Sequence, residues 1–434
     1  MLPSAPALKI TPARRFRGRF RLPGDKSISH RAALFGGMAR GRTTVDNYSQ
    51  AADCASTLAC LRALGVGVER DGARVSIEGG GLAAWHAPAA VLDCENSGST
   101  IRMLAGALAG RPFRSVLTGD ESLRRRPVER VAAPLRLMGA TLASTDGKPP
   151  LTIDGGRLHA IEYALPVASA QVKTAVLLAG LQAEGETVVT EPAPSRDHTE
   201  RMLPAFGVSL VRDGLRASVR GGQEMRGTHV AVPGDASSAA FLVVAALVLP
   251  DSEVRLEHVL LSPTRTAFVD VLRQMGGDVS VTLESDTPEP VGTIVARSSA
   301  LRGTRVDPAI VPALIDEVPA LAAAAAFADG TFTVTDAKEL RVKESDRIAA
   351  LAEGLGAMGA SVRELPDGLV VEGGGRLAGG AVRSHGDHRI AMALAVAGLA
   401  AAGPTEVEGA DCVAVSFPSF FDVLAEATGE APGR

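Results

Sequence analysis

Six times along the chain, a short loop of Pro, Gly and small polar residues opens an Ala/Leu-rich helical run. The openings lie at Lys26, Asn96, Ser169, Asp235, Asp316 and Asp387. They recur at roughly 70-residue intervals, longer than the units of solenoids or propellers. In the first five units a second, amphipathic run follows and stops at a glycine: Gly65, Gly139, Gly207, Gly276 and Gly359. The phrases LRALGVGV, LRLMGATL, LRQMGGDV and LGAMGASV restate one theme. Glycine after the last apolar turn predicts a left-handed helix cap, and the β-branched residues beyond it predict a strand. Alternating runs such as residues 74–77 (RVSI) and 187–190 (TVVT) predict further strands. Each unit therefore reads as two helices plus several strands, and the chain as α/β.

Three units make about 200 residues, the size of an ordinary domain, so two three-unit domains are expected. The boundary is expected near Pro233, where residues 230–232 (VAV) run into Pro233-Gly234-Asp235. A strand near residues 8–20 has no unit of its own and is expected to complete the other domain. The expected division is 22–233 for one domain and 1–21 plus 234–434 for the other.

Composition narrows the chemistry. At 434 residues the chain is too long for one ordinary core, and 46% hydrophobic with 22% charged residues is a globular balance. A net charge of −4 and only 3% aromatic residues argue against nucleic acid as a partner, so anion binding needs locally concentrated Lys and Arg. Cys54, Cys60, Cys94 and Cys412 show neither CxxC pairing nor zinc-finger spacing and read as reduced thiols of a cytoplasmic protein. Residues 1–16 hold three prolines and no apolar leader core. The longest apolar stretch, residues 390–402, falls short of the ~20 residues that span a bilayer, so no membrane partner is expected.

A helix N-terminus favours anions through its unpaired N–H groups and partial positive charge. Several of the six openings add cations. LPGDKSISHR places Lys26, Ser27 and Arg31 around one helix start, although Asp25 and the glycine spacing exclude a Walker A loop. NSGSTIR lets a ligand approach the backbone at Gly98. In GDESLRRRP, Arg126 beside Pro127 is the arginine expected to point inward. SAQVK and SRDHTE follow in the third unit. Asp235-Ala236-Ser237-Ser238 carries no cation and reads as a helix cap. Asp316-Glu317 stands in an apolar stretch, Lys343 to Arg347 form a charged cluster, and Gly386-Asp387-His388-Arg389 opens the last helix. The spacing of His385, Asp387 and His388 matches no strong ligand motif, so no metal is expected.

Taken in order, LPGDKSISHR, NSGSTIR, GDESLRRRP, SAQVKTAVLLAGL, SRDHTE, PGDASSAAF, LRVKESDR and GDHRIAMA closely resemble the 5-enolpyruvylshikimate-3-phosphate synthases of the enolpyruvyl transferase family. The resemblance covers nearly the whole chain. It implies a two-domain inverse α/β barrel of six βαβαββ repeats, three per domain, with the active site in the interdomain cleft. It implies transfer of the enolpyruvyl group of phosphoenolpyruvate to the 5-hydroxyl of shikimate-3-phosphate, with release of phosphate and no cofactor. Each phosphate monoester carries about −1.5 to −2 and each substrate adds a carboxylate, a crowding that several cations must offset. By resemblance, Lys26, Ser27, Arg31, Ser169, Ala170, Gln171, Ser195, Arg196, Asp316 and Lys343 would hold shikimate-3-phosphate. Lys26, Asn96, Gly98, Arg126, Gln171, Arg347 and Arg389 would hold phosphoenolpyruvate. Asp316 would serve as general base, Glu344 as the acid toward the methylene carbon, and Lys26 would assist.

Two features depart from the family pattern. Val415 stands where many relatives carry a Lys before the C-terminal Ser-Phe-Pro. The GDKS, SAQVK and RDHTE forms resemble a subgroup associated with glyphosate tolerance, yet Gly98 is expected to leave room for that inhibitor. A UDP-N-acetylglucosamine enolpyruvyl transferase is the nearest alternative, but residues 119–127 lack the Cys of that family's mobile loop. A non-catalytic anion-binding scaffold is the other alternative. It has no use for Asp316 and Glu344 beside Lys26, Arg31, Arg126, Arg196, Lys343, Arg347 and Arg389. A monomer is the expected working form.

Overall fold

One sheet pattern recurs through the computed structural model, which describes residues 7–429. His229–Ala231 runs parallel to Arg40–Asp46; antiparallel Arg74–Gly80 and Gly67–Asp71 complete that sheet. The same order, a parallel edge followed by two antiparallel pairings, recurs in Leu92–Asp93, Arg114–Thr118, Lys148–Asp154 and Thr141–Thr145. It recurs again in Glu162–Ala164, Glu186–Thr190, Arg216–Arg220 and Leu210–Asp213. These three sheets belong to one compact unit, Pro23–Pro233.

A second unit joins the segment up to Leu22 to the segment from Gly234 onward. Its first sheet repeats the full pattern with Arg17–Arg21, Glu253–Leu260, Val291–Arg297 and Asp278–Ser285. In the next, Thr331–Val334, Gly368–Glu372 and Ser361–Leu365 keep the antiparallel part, and the parallel edge shrinks to a bridge between Arg305 and Thr333. The last pairs Gly380–Arg383 with Thr405–Glu408 in parallel, and the N-terminal strand Ala7–Ile10 supplies the antiparallel neighbour. Both N-terminal strands thus pair inside this unit. The leader reading rested partly on residues 1–6, which lie outside the described residues.

Each repeat contributes one core helix: Lys26–Met38, Gly98–Ala109, Ala170–Gly180, Ala236–Val248, Val318–Ala325 and His388–Leu399. Every residue of the fourth from Ala236 to Leu247 is buried, and a helix apolar on all faces is stable only inside. Small side chains allow close approach. A Cβ on Gly106 would lie 2.2 Å from the Ala175 carbonyl oxygen, so the second and third core helices meet almost backbone to backbone. The five glycine stops all adopt positive φ, from 80° at Gly207 to 106° at Gly139, as the left-handed cap requires. The sixth unit also stops this way, with Phe420–Thr428 ending at Gly429, although it lacks the theme phrase. Among the described residues no single helix is long and apolar enough to cross a membrane. Cys54, Cys60 and Cys94 are buried free thiols and Cys412 is half-buried.

Candidate active site

The openings place chemistry by one local device. Asp25, Ser97, Ser169, Asp235 and Asp387 each turn a side-chain oxygen onto a backbone N–H of the helix they cap. The residues beside these caps are therefore held at helix N-termini, where an anion is favoured. The fifth opening differs. Asp316 lies in the turn between Val311–Leu314 and Val318–Ala325, and Glu317, which makes no side-chain cap, precedes the helix.

In the unit Pro23–Pro233, Lys26 Nζ lies 3.0 Å from Asp53 Oδ2. Arg31, only 2% exposed, donates from Nε to Thr199 Oγ1 at 2.8 Å, from Nη2 to Thr174 Oγ1 at 2.9 Å and from Nη1 to the Ser27 carbonyl at 2.9 Å. Ala170 offers its carbonyl to Thr174 Oγ1 at 2.6 Å. Arg196 donates to Ser27 Oγ at 3.1 Å, which brings the third unit's loop to the first. Ser195 donates to Glu191 Oε1. Gln171 accepts from Arg102 Nη1 at 2.9 Å and donates to Ser99 Oγ at 3.0 Å. Because arginine only donates, this pairing fixes which way the Gln171 amide faces. Arg126 is buried, as the inward reading required, and donates to Asn96 Oδ1 at 2.5 Å; Asn96 in turn donates to Asp120. Gly98 begins its helix against Arg102: a Cβ there would lie 2.6 Å from Arg102 Nη1 and 3.4 Å from Arg126 Nη1.

A chain of buried hydroxyls ties these loops together. His30 Nδ1 meets Thr57 Oγ1 at 2.7 Å, Thr57 meets Thr100 Oγ1 at 2.7 Å, and Thr100 donates to the cap Ser97 at 2.7 Å. Burial, helped by Lys26 and Arg31, pushes the His30 imidazole down to about 3, so it is neutral.

In the other unit the cations meet carboxylates. Arg347, 1% exposed, donates from Nη1 to Asp316 Oδ1 at 3.1 Å, from Nη2 to Glu344 Oε2 at 2.6 Å and from Nε to Asp387 Oδ2 at 2.8 Å. Burial opposes that charge, but Asp387, Glu344 and Asp316 outweigh it and hold the guanidinium above its ordinary range. Lys343 Nζ lies 3.3 Å from Asp316 Oδ1. Arg389 Nε is 3.8 Å from the same oxygen, and its Nη1 donates to the Asp316 carbonyl at 3.0 Å. Asp316 thus stands among three cations. Val415 is half-buried at the end of Ala410–Val415.

The candidates therefore form two groups: Lys26, Ser27, Arg31, Asn96, Gly98, Arg126, Ser169, Ala170, Gln171, Ser195 and Arg196 in one unit, and Asp316, Lys343, Glu344, Arg347 and Arg389 in the other. Sequence reasoning missed three participants. Arg102 was quoted only as the end of a motif, yet it orients Gln171. Lys173 is buried between Glu191 at 2.5 Å and Glu200 at 2.6 Å, which braces the loop of Ser195. Arg265 reaches the fourth opening, which has no cation of its own. Its Nη2 donates to Ser237 Oγ at 2.9 Å and to Asp235 Oδ1 at 3.2 Å. Among the described residues no group of three or more His, Cys, Asp or Glu side chains is placed to hold a metal ion. His385 lies 3.1 Å from Glu353.

Residues 10–424 match the family described as EPSP synthase (3-phosphoshikimate 1-carboxyvinyltransferase). A 3-phosphoshikimate 1-carboxyvinyltransferase of Desulfitobacterium hafniense is 52% identical over 422 residues, covering 96% of this chain and 97% of that protein. The solved EPSP synthase of Acinetobacter baumannii superposes with a TM-score of 0.86 at 46% identity, covering 97% of this chain and 98% of the other. The enolpyruvyl transferase NikO of Streptomyces tendae shares the fold, with a TM-score of 0.81 at 20% identity and 99% coverage of both chains. The two-domain α/β fold is that of the enolpyruvyl transferases, and the chain belongs to the EPSP synthase family, the 3-phosphoshikimate 1-carboxyvinyltransferases.

Proposed function

We propose that the two groups of side chains act on one pair of substrates and together perform the family's carboxyvinyl transfer. The reaction moves the enolpyruvyl group of phosphoenolpyruvate to the 5-hydroxyl of shikimate-3-phosphate and releases phosphate, a step of aromatic amino-acid biosynthesis. Ser27, Arg31, Ser169, Ala170, Gln171, Ser195 and Arg196 hold shikimate-3-phosphate, with Asp316 and Lys343 at its hydroxyl end. Asn96, the Gly98 backbone, Arg126, Gln171, Arg347 and Arg389 hold phosphoenolpyruvate, and Lys26 lies between the ligands. The observation that carries this reading is the position of Asp316, Glu344, Lys343, Arg347 and Arg389 within one ion-paired cluster.

The roles carried over from the family resemblance are compatible with that cluster. Glu344, which takes up a proton once phosphoenolpyruvate displaces it from Arg347, delivers that proton to the methylene carbon and leaves the neighbouring carbon cationic. The 5-hydroxyl adds to it while Asp316 takes the hydroxyl proton. Loss of phosphate and of one methyl proton from the tetrahedral adduct restores the vinyl group. Asp316 begins paired with Lys343, Arg347 and Arg389. When substrate carboxylate and phosphate take over Lys343 and Arg389, Asp316 is released from those partners to meet the 5-hydroxyl as the ternary complex forms. Exclusion of water protects the cationic carbon from the wrong nucleophile.

We place this chemistry in a cytoplasmic monomer with no cofactor and no nucleic-acid or membrane partner; the buried free thiols suit a reducing compartment. Phosphate release measured with shikimate-3-phosphate, with a UDP-sugar and with no acceptor tests the acceptor. Release is expected with the first alone, and equal release in all three overturns the reading. Arg126→Ala is expected to raise the KM for phosphoenolpyruvate while sparing that for shikimate-3-phosphate; unchanged kinetics remove Arg126 from the site.

A further inference from the structure

The fourth opening carries no cation in its own sequence, yet the fold brings one to it. Arg265, from the Ser-Pro-Thr-Arg-Thr loop, is 1% exposed and donates to both Asp235 and Ser237. Ser237 Oγ–H in turn donates a hydrogen bond to Glu317 Oε1. Glu317 is fully buried, and it is the neighbour of Asp316. Its Oε1 lies 4.0 Å from Arg389 Nη1, the same nitrogen that donates to the Asp316 carbonyl at 3.0 Å. The turn bearing Asp316 lacks the side-chain cap that the other five openings use. Glu317 gives it a different anchor, directed back into the fourth repeat.

We propose that Arg265 and Ser237 are positioning residues, which act through Glu317 to set the turn of Asp316 and the guanidinium of Arg389. This rests on the assignment of Arg389 to phosphoenolpyruvate and of Asp316 to the hydroxyl proton. A hydroxyl that accepts from an arginine has its remaining proton directed at the carboxylate, so the relay has one polarity. Loss of Ser237 Oγ leaves Glu317 and Arg265 each short of a bond, and Arg389 gains freedom to swing.

The test is steady-state kinetics of the full chain with each substrate varied in turn, for Ser237→Ala, Arg265→Lys, Arg265→Met and Arg389→Lys. Ser237→Ala is expected to raise the KM for phosphoenolpyruvate about tenfold and to lower kcat, with the KM for shikimate-3-phosphate within about twofold of the parent. Arg265→Lys is expected to retain more activity than Arg265→Met, because a charge without the fork restores part of the relay. Should Arg265→Met fail to fold, Ser237→Ala decides alone, since it removes one atom from a helix start. Unchanged kinetics in Ser237→Ala, or equal rises in both KM values, overturn the proposal. Arg389→Lys separates the two failures: if it too leaves the phosphoenolpyruvate KM unchanged, the assignment of Arg389 is at fault.

Discussion

Arg31, in the second turn of Lys26–Met38, and Arg347, the first residue of Arg347–Ala357, are both guanidiniums with almost no exposure, yet they are held in opposite ways. Arg31 bonds two threonine hydroxyls and two backbone carbonyls. Arg347 bonds three carboxylates. Hydroxyls and carbonyls satisfy the geometry of a guanidinium without bringing a countercharge, so these Arg31 contacts suit capture of a dianion. Carboxylates cancel the charge, so the Arg347 environment suits an exchange of partners, in which arriving anions displace Asp316 and change what it does. Under the proposed function, the same type of side chain would serve binding in one unit and proton chemistry in the other.

The largest expected effect comes from removing each arginine. Arg347→Met strands Asp316, Glu344 and Asp387 without their shared cation and is expected to cost about 3–5 kcal/mol of stability. Arg31→Met removes bonds to neutral groups and is expected to cost about 1–3 kcal/mol. Chemical unfolding of both variants checks this, and equal losses break the comparison.

A second expectation sharpens the cationic side. His30 has a folded value of about 3 against an ordinary 6.5, so between these pH values the unfolded chain binds the extra proton. Its contribution is therefore complete above pH 6.5 and is lost as pH falls toward 3. Between pH 7 and pH 5 the unfolding free energy is expected to drop by about 2 kcal/mol from this group. The drop should be smaller by that amount in His30→Asn. Identical pH slopes in the two proteins would show that His30 is not held neutral.

The smallest effect concerns Gly98. An added methyl would press on the end of Arg102, a flexible neighbour, 2.6 Å away. Gly98→Ala is expected to change stability by less than about 1 kcal/mol while raising the KM for phosphoenolpyruvate, because Arg102 holds Gln171. An unaltered KM would place the Gly98 backbone away from the ligand.

What the sequence made legible was local. The helix openings and the glycine stops act within a few residues of themselves, and their spacing revealed six units. Asp316 was read as a helix opening of the same kind, but a short helix ends just before it and Glu317 intervenes. The non-local partners were not legible. Arg265 and Ser237 are 28 residues apart, Ser237 and Glu317 are 80, and Arg102 and Gln171 are 69. No periodicity or capping rule connects such pairs; only the packing of repeat on repeat does. For the same reason the carboxylate surroundings of Arg347 were missed, since Asp387 was visible as a helix opening and not as a counter-ion.

Calorimetric titration of shikimate-3-phosphate into the parent chain, Arg31→Lys and Arg389→Lys tests the division of labour most directly. Both variants keep the charge and lose the planar fork. The account predicts that Arg31→Lys weakens binding at least about tenfold, while Arg389→Lys leaves it within about twofold. Equal weakening in the two variants, or a loss confined to Arg389→Lys, would contradict it.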